Sequence, residues 1–166
     1  KYSKEEDMPA IKAEQLNPFL MSAKQVLQQV CQIDVKFGQI SKDDFYVNGE
    51  PLFIMLGVTG EITGQVCMVL GTETAKDVAS RMMMGMPVDV LDDMAKSALS
   101  ELGNMMMGNA ATLLSNNNVL IDITPPTLLV GSAILSSPEM AVIKVPLIYQ
   151  NYEIQLSFLL SMLSLF

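Results

Sequence analysis

Histidine and tryptophan are absent from this chain, and cysteine occurs only twice. Without histidine there is no Ser-His-Asp or Cys-His catalysis, and no imidazole-based zinc or iron centre. Cys31 and Cys67 each stand inside an apolar run, which reads as two reduced core thiols and suits a reducing cytosol. Basic residues are scarce as well: 10 Lys and Arg against 18 Asp and Glu leave a net charge of −8. Lys and Arg neutralising phosphates supply most non-specific nucleic-acid affinity, so no nucleic-acid partner is expected. Long apolar runs are missing too. The most apolar stretch, Ile154–Phe166, falls short of the ~20 residues a membrane helix needs. It is broken by Ser157, Ser161 and Ser164, so it reads as a buried strand, and no membrane partner is expected. Lys1–Asp7 is polar and offers no secretory leader, so the expected location is cytoplasmic.

What is present is a chain of 166 residues, half of them apolar, enough to bury one sizeable core without staples. The expected arrangement is a single domain over residues 1–166, with 1–15 as a flexible lead-in and two similar halves at about 16–86 and 91–166. Asn17-Pro18 starts a helix in the first half, since proline is favourable in a first helical turn. Its apolar positions include Leu20, Ala23, Val26, Leu27 and Val30. A strand over Ile33–Ile40 follows, then strands Leu52–Gly57 and Gly64–Leu70 around Thr59-Gly60. Thr72-Glu73-Thr74 caps a short helix ending near Met84-Gly85. In the second half, Asp92 is the expected N-cap of a long helix that runs to about Ser115 and stops at Asn116-Asn117-Asn118. Short strands hold Ile121 and Ile123, then Leu128–Val130. Two further strands, Met140–Tyr149 and Tyr152–Leu160, turn at Gln150-Asn151. The order helix, strand, strand, strand thus occurs twice. The fold class implied is α+β in two layers, two long helices covering one face of a largely antiparallel sheet.

The 14 methionines read chiefly as adaptable core filler, with a partner-binding methionine patch as the competing reading.

The long helix of the second half separates into two faces at about 100° per residue. Ala95, Ala98, Leu99, Leu102, Met105, Met106, Ala110 and Leu113 form an apolar arc. Ser97, Glu101, Asn104 and Gly108 form a narrow stripe well away from its centre, with Glu101 and Asn104 one turn apart. Gly108 costs ~1 kcal/mol relative to Ala in a helix interior; a close-approaching partner or a helix–helix contact would each account for it. An exposed Glu and Asn alone amount to a solvated face. Their company raises the significance: Ser97 four residues earlier, and the I-T-P-P-T-L-L-V-G segment about twenty residues later.

With those residues in place the sequence resembles the CheC/CheX family of chemotaxis phosphatases, and is more similar to the CheX branch. The family signature is Asp or Ser, three residues, Glu, two residues, Asn, then roughly twenty residues to Pro. Ser97, Glu101, Asn104 and either Pro125 or Pro126 fit it. The N-P-F-L of Asn17–Leu20 and Gly131 look family-like too, and the similarity runs from about Leu16 to about Leu160. The resemblance implies a protein phosphatase acting on the aspartyl phosphate of a CheY-like response regulator in two-component chemotaxis signalling. Asn104 would hold water in line with phosphorus, and Glu101 would pair with the regulator's lysine. Ser97 and Gly108 would meet the partner. No cofactor is expected on this chain, because Mg2+ would come from the partner regulator. A homodimer formed through the sheets is implied as well.

CheC proteins carry a second Glu/Asn pair on the first helix. Registering Ser22 on Ser97 puts Val26 and Gln29 at those two positions, so a single site on the long helix is expected. The alternative function is a non-catalytic CheC/FliM-like adaptor that binds a regulator or flagellar switch component. An enzyme acting on a small phosphorylated metabolite lacks support, since no Gly-rich phosphate loop or strand-to-helix G-x-G-x-x-G is present.

Overall fold

The computed structural model describes residues 13–43, 45–46, 50–131, 134–135 and 142–162. The lead-in expected over 1–15 lies mostly outside them, as does Met140, the expected start of a strand. Among these residues three helices pack on a sheet whose strand pairs are all antiparallel.

Helix α1 spans Ala13–Cys31 and so begins a turn before Asn17-Pro18, with Pro18 inside it. Proline removes the N–H that would bond to the Glu14 carbonyl. Glu14 is exposed, so water can take that carbonyl and the helix starts early at little cost. The strand expected over 33–40 is two short ones, β1 (Lys36–Phe37) and β2 (Ser41–Asp43). Both pair with β9 (Val142–Tyr149), which carries Pro146 between the two contacts. Pro146 has no N–H to give, so the ladder breaks there, and Gly38 N–H donates to the Pro146 carbonyl at 2.8 Å. A pair of residues, β3 (Phe45–Tyr46), bonds separately to β8 (Ile134–Leu135).

The strong alternation of residues 52–70 gives the hairpin β4 (Leu52–Gly60) and β5 (Ile62–Leu70). Gly60 and Gly64 hold positive φ beside its turn, a conformation that suits glycine. Helix α2 (Thr72–Met82) is capped by the backbone of Gly71 and by no side chain, so Thr72 and Thr74 do not cap it. Helix α3 (Asp93–Asn116) has Asp92 as N-cap, its Oδ1 accepting from Ala95 N at 2.9 Å, as expected. Asn118, in the left-handed region at φ 63°, ends it. Strands β6 (Ile121–Ile123) and β7 (Thr127–Val130) follow. The last hairpin, β9 with β10 (Tyr152–Met162), turns through Gln150 at φ 49°.

Strand order in the sheet is β1-β9-β10-β5-β4-β6, with β2 beside β9 and β7 beside β4. The two halves are therefore interlocked. The short strands after α1 pair with the second half's hairpin, and those after α3 pair with the first half's. The register shows how closely the halves correspond. Lys36 faces Ile148 while Ile123 faces Val58; Asp43 faces Val142 while Val130 faces Leu52. The short strands thus repeat after 87 residues (36 to 123, 43 to 130) and the hairpins after 90 (58 to 148, 52 to 142). The breaks repeat too: Thr124-Pro125-Pro126 interrupts the β6–β7 edge where Phe37 and Gly38 open the break in the β1–β2 edge, and Gly57 N–H donates to Thr124 Oγ1 at 2.7 Å.

One core fills the space between helices and sheet, with Phe19, Leu27, Leu99, Met106, Ile54 and Phe158 among its buried members. Phe53, Cys67, Val69 and Val142 form a second buried cluster, and strand alternation puts them on the opposite sheet face. The helices α1 and α3 are joined where the buried Ser22 hydroxyl donates to the Met106 carbonyl at 2.5 Å. At the surface, Asn109 Nδ2 donates to Gln25 Oε1 at 3.1 Å.

Candidate functional site

The long helix α3 is held to the core by Ala95, Leu99, Leu102, Gly103, Met106, Met107, Ala110 and Leu114, all buried. The expected arc named Met105 and Leu113 where the structure buries Met107 and Leu114 instead. Met105 is 36% exposed and Leu113 only partly buried.

Opposite that arc, Ser97, Glu101, Asn104 and Gly108 are all exposed. The structure therefore brings the four expected residues onto one solvent-facing stripe. Its rigidity comes from the packed side of the same helix, which fixes the stripe's backbone without touching its side chains.

Two glycines of α3 behave in opposite ways. A Cβ added at Gly103 would stand 3.1 Å from Ile54 Cγ2 and 3.4 Å from Leu56 Cδ1. Gly103 is thus where the helix approaches the sheet. At Gly108 an added Cβ meets nothing within 4 Å. Helix–helix packing does not explain Gly108, and an open patch of backbone beside Asn104 is what it leaves.

The methionines divide between both readings. Met68, Met106 and Met107 are core. Met84, Met86 and Met94 are exposed by 98%, 58% and 65%. Met94 and Met105 share the Glu101 side of α3, so flexible apolar side chains frame the carboxylate. Such side chains adapt well to a partner surface.

Neither thiol offers a nucleophile. Burial pushes Cys31 up to about 11 and Cys67 up to about 12, so both stay protonated near neutral pH. Both are free and buried, as expected. Elsewhere Tyr149 donates to Asp77 Oδ2 at 2.8 Å and Arg81 Nε reaches the same oxygen at 2.9 Å. Burial, and the bond to Asp77, raise the Tyr149 phenol well above its ordinary range. This cluster ties α2 to β9 and lies on a different element from the stripe.

The family model of chemotaxis phosphatase CheX matches residues 52–147. The CheY-P phosphatase CheX of Thermotoga maritima is 33% identical over 132 residues, which cover 80% of this chain and 85% of that protein. This chain belongs to the CheX family. Solved structures share the fold. A chemotaxis protein CheX from Desulfovibrio desulfuricans has a TM-score of 0.78 at 23% identity, covering 89% of this chain and 99% of that one. The CheX–CheY–BeF3–Mg2+ complex from Borrelia burgdorferi has a TM-score of 0.73 at 24% identity, covering 90% and 99%.

The expected correspondence of Val26 and Gln29 with Glu101 and Asn104 does not hold in this CheX-family chain. Ser22 and Val26 are buried, whereas Ser97 and Glu101 are exposed, so that register lays core positions on surface ones. The 87-residue step of the short strands instead pairs Leu16 with Gly103, Phe19 with Met106, Ala23 with Ala110 and Leu27 with Leu114, buried in both helices. It pairs Gln25 with Thr112 and Gln28 with Ser115, exposed in both. Val26 and Gln29 then answer to Leu113 and Asn116. Glu14 answers to Glu101 and Asn17 to Asn104, a second Glu-x-x-Asn that the reading of the sequence passed over. The signal was there in the letters E-Q-L-N against E-L-G-N, but it was hidden by starting the first helix at Asn17.

Proposed function

We propose that this chain hydrolyses the aspartyl phosphate of a CheY-like response regulator, and that Glu101 and Asn104 perform the work. The observation that carries the reading is the pair itself: a carboxylate and an amide, one turn apart, both in solvent, on a helix whose other face is locked into the core. Membership of the CheX family supports the substrate class. So does the relative named CheY-P phosphatase CheX and the fold shared with a CheX seen in complex with CheY.

An acyl phosphate needs positioning more than activation. The Asn104 amide donates and accepts at once, so it can orient a water without repelling the phosphoryl oxygens. The water oxygen bonds to phosphorus as the bond from phosphorus to the aspartyl oxygen breaks. The carboxylate leaves, inorganic phosphate forms, and the water's proton passes to phosphate or solvent. Glu101 forms a charge-assisted bond to the lysine beside the regulator's phosphate and so fixes the docking register. Mg2+ bound by the regulator would neutralise the phosphoryl charge. Gly108 leaves room for the regulator's backbone, and Ser97 borders the same stripe.

The test is the lifetime of a phosphorylated receiver domain with and without the protein, beside a generic phosphate ester. Acceleration of receiver decay alone is expected. Hydrolysis of the ester would point to a metabolite phosphatase, and tight receiver binding without acceleration to an adaptor.

A further inference from the structure

We propose that the connector between α2 and α3 is an apolar docking surface for the regulator's receiver domain, continuous with the stripe on α3. The inference rests on the function proposed for that stripe and adds what holds the substrate there. Its ground is where the apolar surface lies. Of the twelve large hydrophobic side chains exposed among the described residues, five fall within residues 84–105: Met84, Met86, Val90, Met94 and Met105. The connector, residues 83–92, is not slack chain. Met83, Val88 and Leu91 pack against the core, Gly85 N–H donates to the Ser80 carbonyl at 2.8 Å, and Asp92 N–H to the Val90 carbonyl at 2.9 Å. So anchored, it turns Met84, Met86 and Val90 outward, exposed by 98%, 58% and 71%. Met84 also holds φ 59°, a left-handed backbone that is costly for any residue with a Cβ. Its side chain touches too little of its own chain to offset that cost.

Size and charge select the occupant. A standard protein interface buries about 800 Å2 on each side, a patch reaching roughly 15 Å from its centre. Met94 stands seven residues before Glu101 on α3, or about 10 Å along the helix axis. A receiver centred on Glu101 therefore reaches the first turn of α3 and the connector joined to it. Asp89, Asp92 and Asp93 are exposed along the same segment, and Lys96 is its one cation between residues 84 and 105. A second copy of this chain, itself at −8, would set these carboxylates against its own, and an anionic lipid surface would oppose them too. A receiver that brings a lysine to Glu101, with apolar surface and cations beside it, meets both the methionines and their acidic rim. Unbranched thioether side chains adapt their rotamers to such a surface.

The test is the triple variant Met84→Gln/Met86→Gln/Val90→Gln, beside wild type, against one phosphorylated receiver. Its KM should rise by ~10-fold or more, the scale of an apolar side chain that is no longer buried, with kcat within twofold. Affinity for the receiver carrying beryllofluoride should fall in step. That loss should persist as salt is raised, because apolar contacts are not screened, whereas the loss in Glu101→Gln should shrink. Met84→Gly serves as a second variant. It suits the left-handed backbone, so it should melt no lower than wild type and still bind the receiver more weakly. An active wild type whose triple variant keeps its KM and affinity overturns the docking surface and leaves the α3 reading intact. A loss confined to kcat overturns it as well. So does a triple variant with unchanged KM that loses a dimer in sedimentation or binding to anionic vesicles, since another occupant then covers the patch. A wild type that does not accelerate receiver decay defeats the α3 reading itself, and this inference with it.

Discussion

The exposed faces of α1 and α3 carry the same two side chains and differ in the backbone beside them. Asn104 has Gly108 one turn on, with open space above it; Asn17 has Met21, half exposed. Glu101 and Asn104 stand deep within a 24-residue helix, whereas Glu14 and Asn17 lie in the first two turns of a 19-residue one that carries Pro18. Chemistry of this kind depends on placing a water to within a fraction of an ångström, since a ~1 Å misplacement can cost ~10²-fold. Having the right groups is therefore not enough. The face that combines them with a bare, well-anchored backbone is the one expected to work, and the following changes would break or sharpen that contrast.

The largest effect is expected at Asn104. Asn104→Ala should lower receiver dephosphorylation by ~10² on the α3 face, as loss of one positioned hydrogen-bonding group does, and leave the melting temperature unchanged. Activity within twofold of wild type would remove Asn104 from the chemistry.

Next come the two glycines of α3, where one substitution should act in opposite senses. Gly103→Leu forces a side chain against Ile54 and Leu56 and should cost about 1–3 kcal/mol in denaturant unfolding. At Gly108 the Cβ of a leucine meets nothing within 4 Å outside its own helix, and Gly108→Leu should gain up to about 1 kcal/mol through helix propensity. Its activity should nevertheless fall by ~10-fold, mostly as a higher KM, because the regulator's approach is blocked. A Gly108→Leu protein both more stable and fully active would show that nothing docks there.

Glu101→Gln keeps the shape and discards the charge. Loss of a charge-assisted bond at a partly solvated interface costs about 1.5–3 kcal/mol, so affinity for a receiver carrying beryllofluoride should weaken by roughly 10-fold or more. Turnover at saturating receiver should largely survive. Unchanged affinity would return Glu101 to an ordinary solvated position.

Why one face was legible and the other was not has a physical cause. The α3 stripe could be read because Asp92 marks the helix start and a full turn on either side of Glu101 shows the periodicity. The same reading gave the two-layer architecture and both hairpins, whose alternation is strong. In α1 the Pro18 signal placed the helix start at Asn17, which put Glu14 outside the helix and moved the repeat onto Ser22. Proline marks a first turn only when the preceding carbonyls need their donors, and an exposed Glu14 does not. The break between β1 and β2 was equally hidden, because it is caused by Pro146, more than a hundred residues away. Gly108's purpose could not be read at all from the letters. It took the empty space around it to set a packing contact aside.

The smallest effect should come from the bond that sets the two faces at a fixed angle. Ser22 is wholly buried and its hydroxyl donates to the Met106 carbonyl across the α1–α3 seam. Met106 lies two residues beyond Asn104, so this bond reaches the backbone that carries the Asn104 amide. Ser22→Ala removes the donor and leaves a space smaller than a water. The Met106 carbonyl keeps its own helical partner, so it is not orphaned, and the cost should be about 1 kcal/mol. Turnover should stay within about twofold, because the core residues of each helix still hold it to the sheet. Unfolding by denaturant should show a lower midpoint with unchanged slope. A large loss of activity with little loss of stability would mean that the seam, and not the core, sets the position of Asn104.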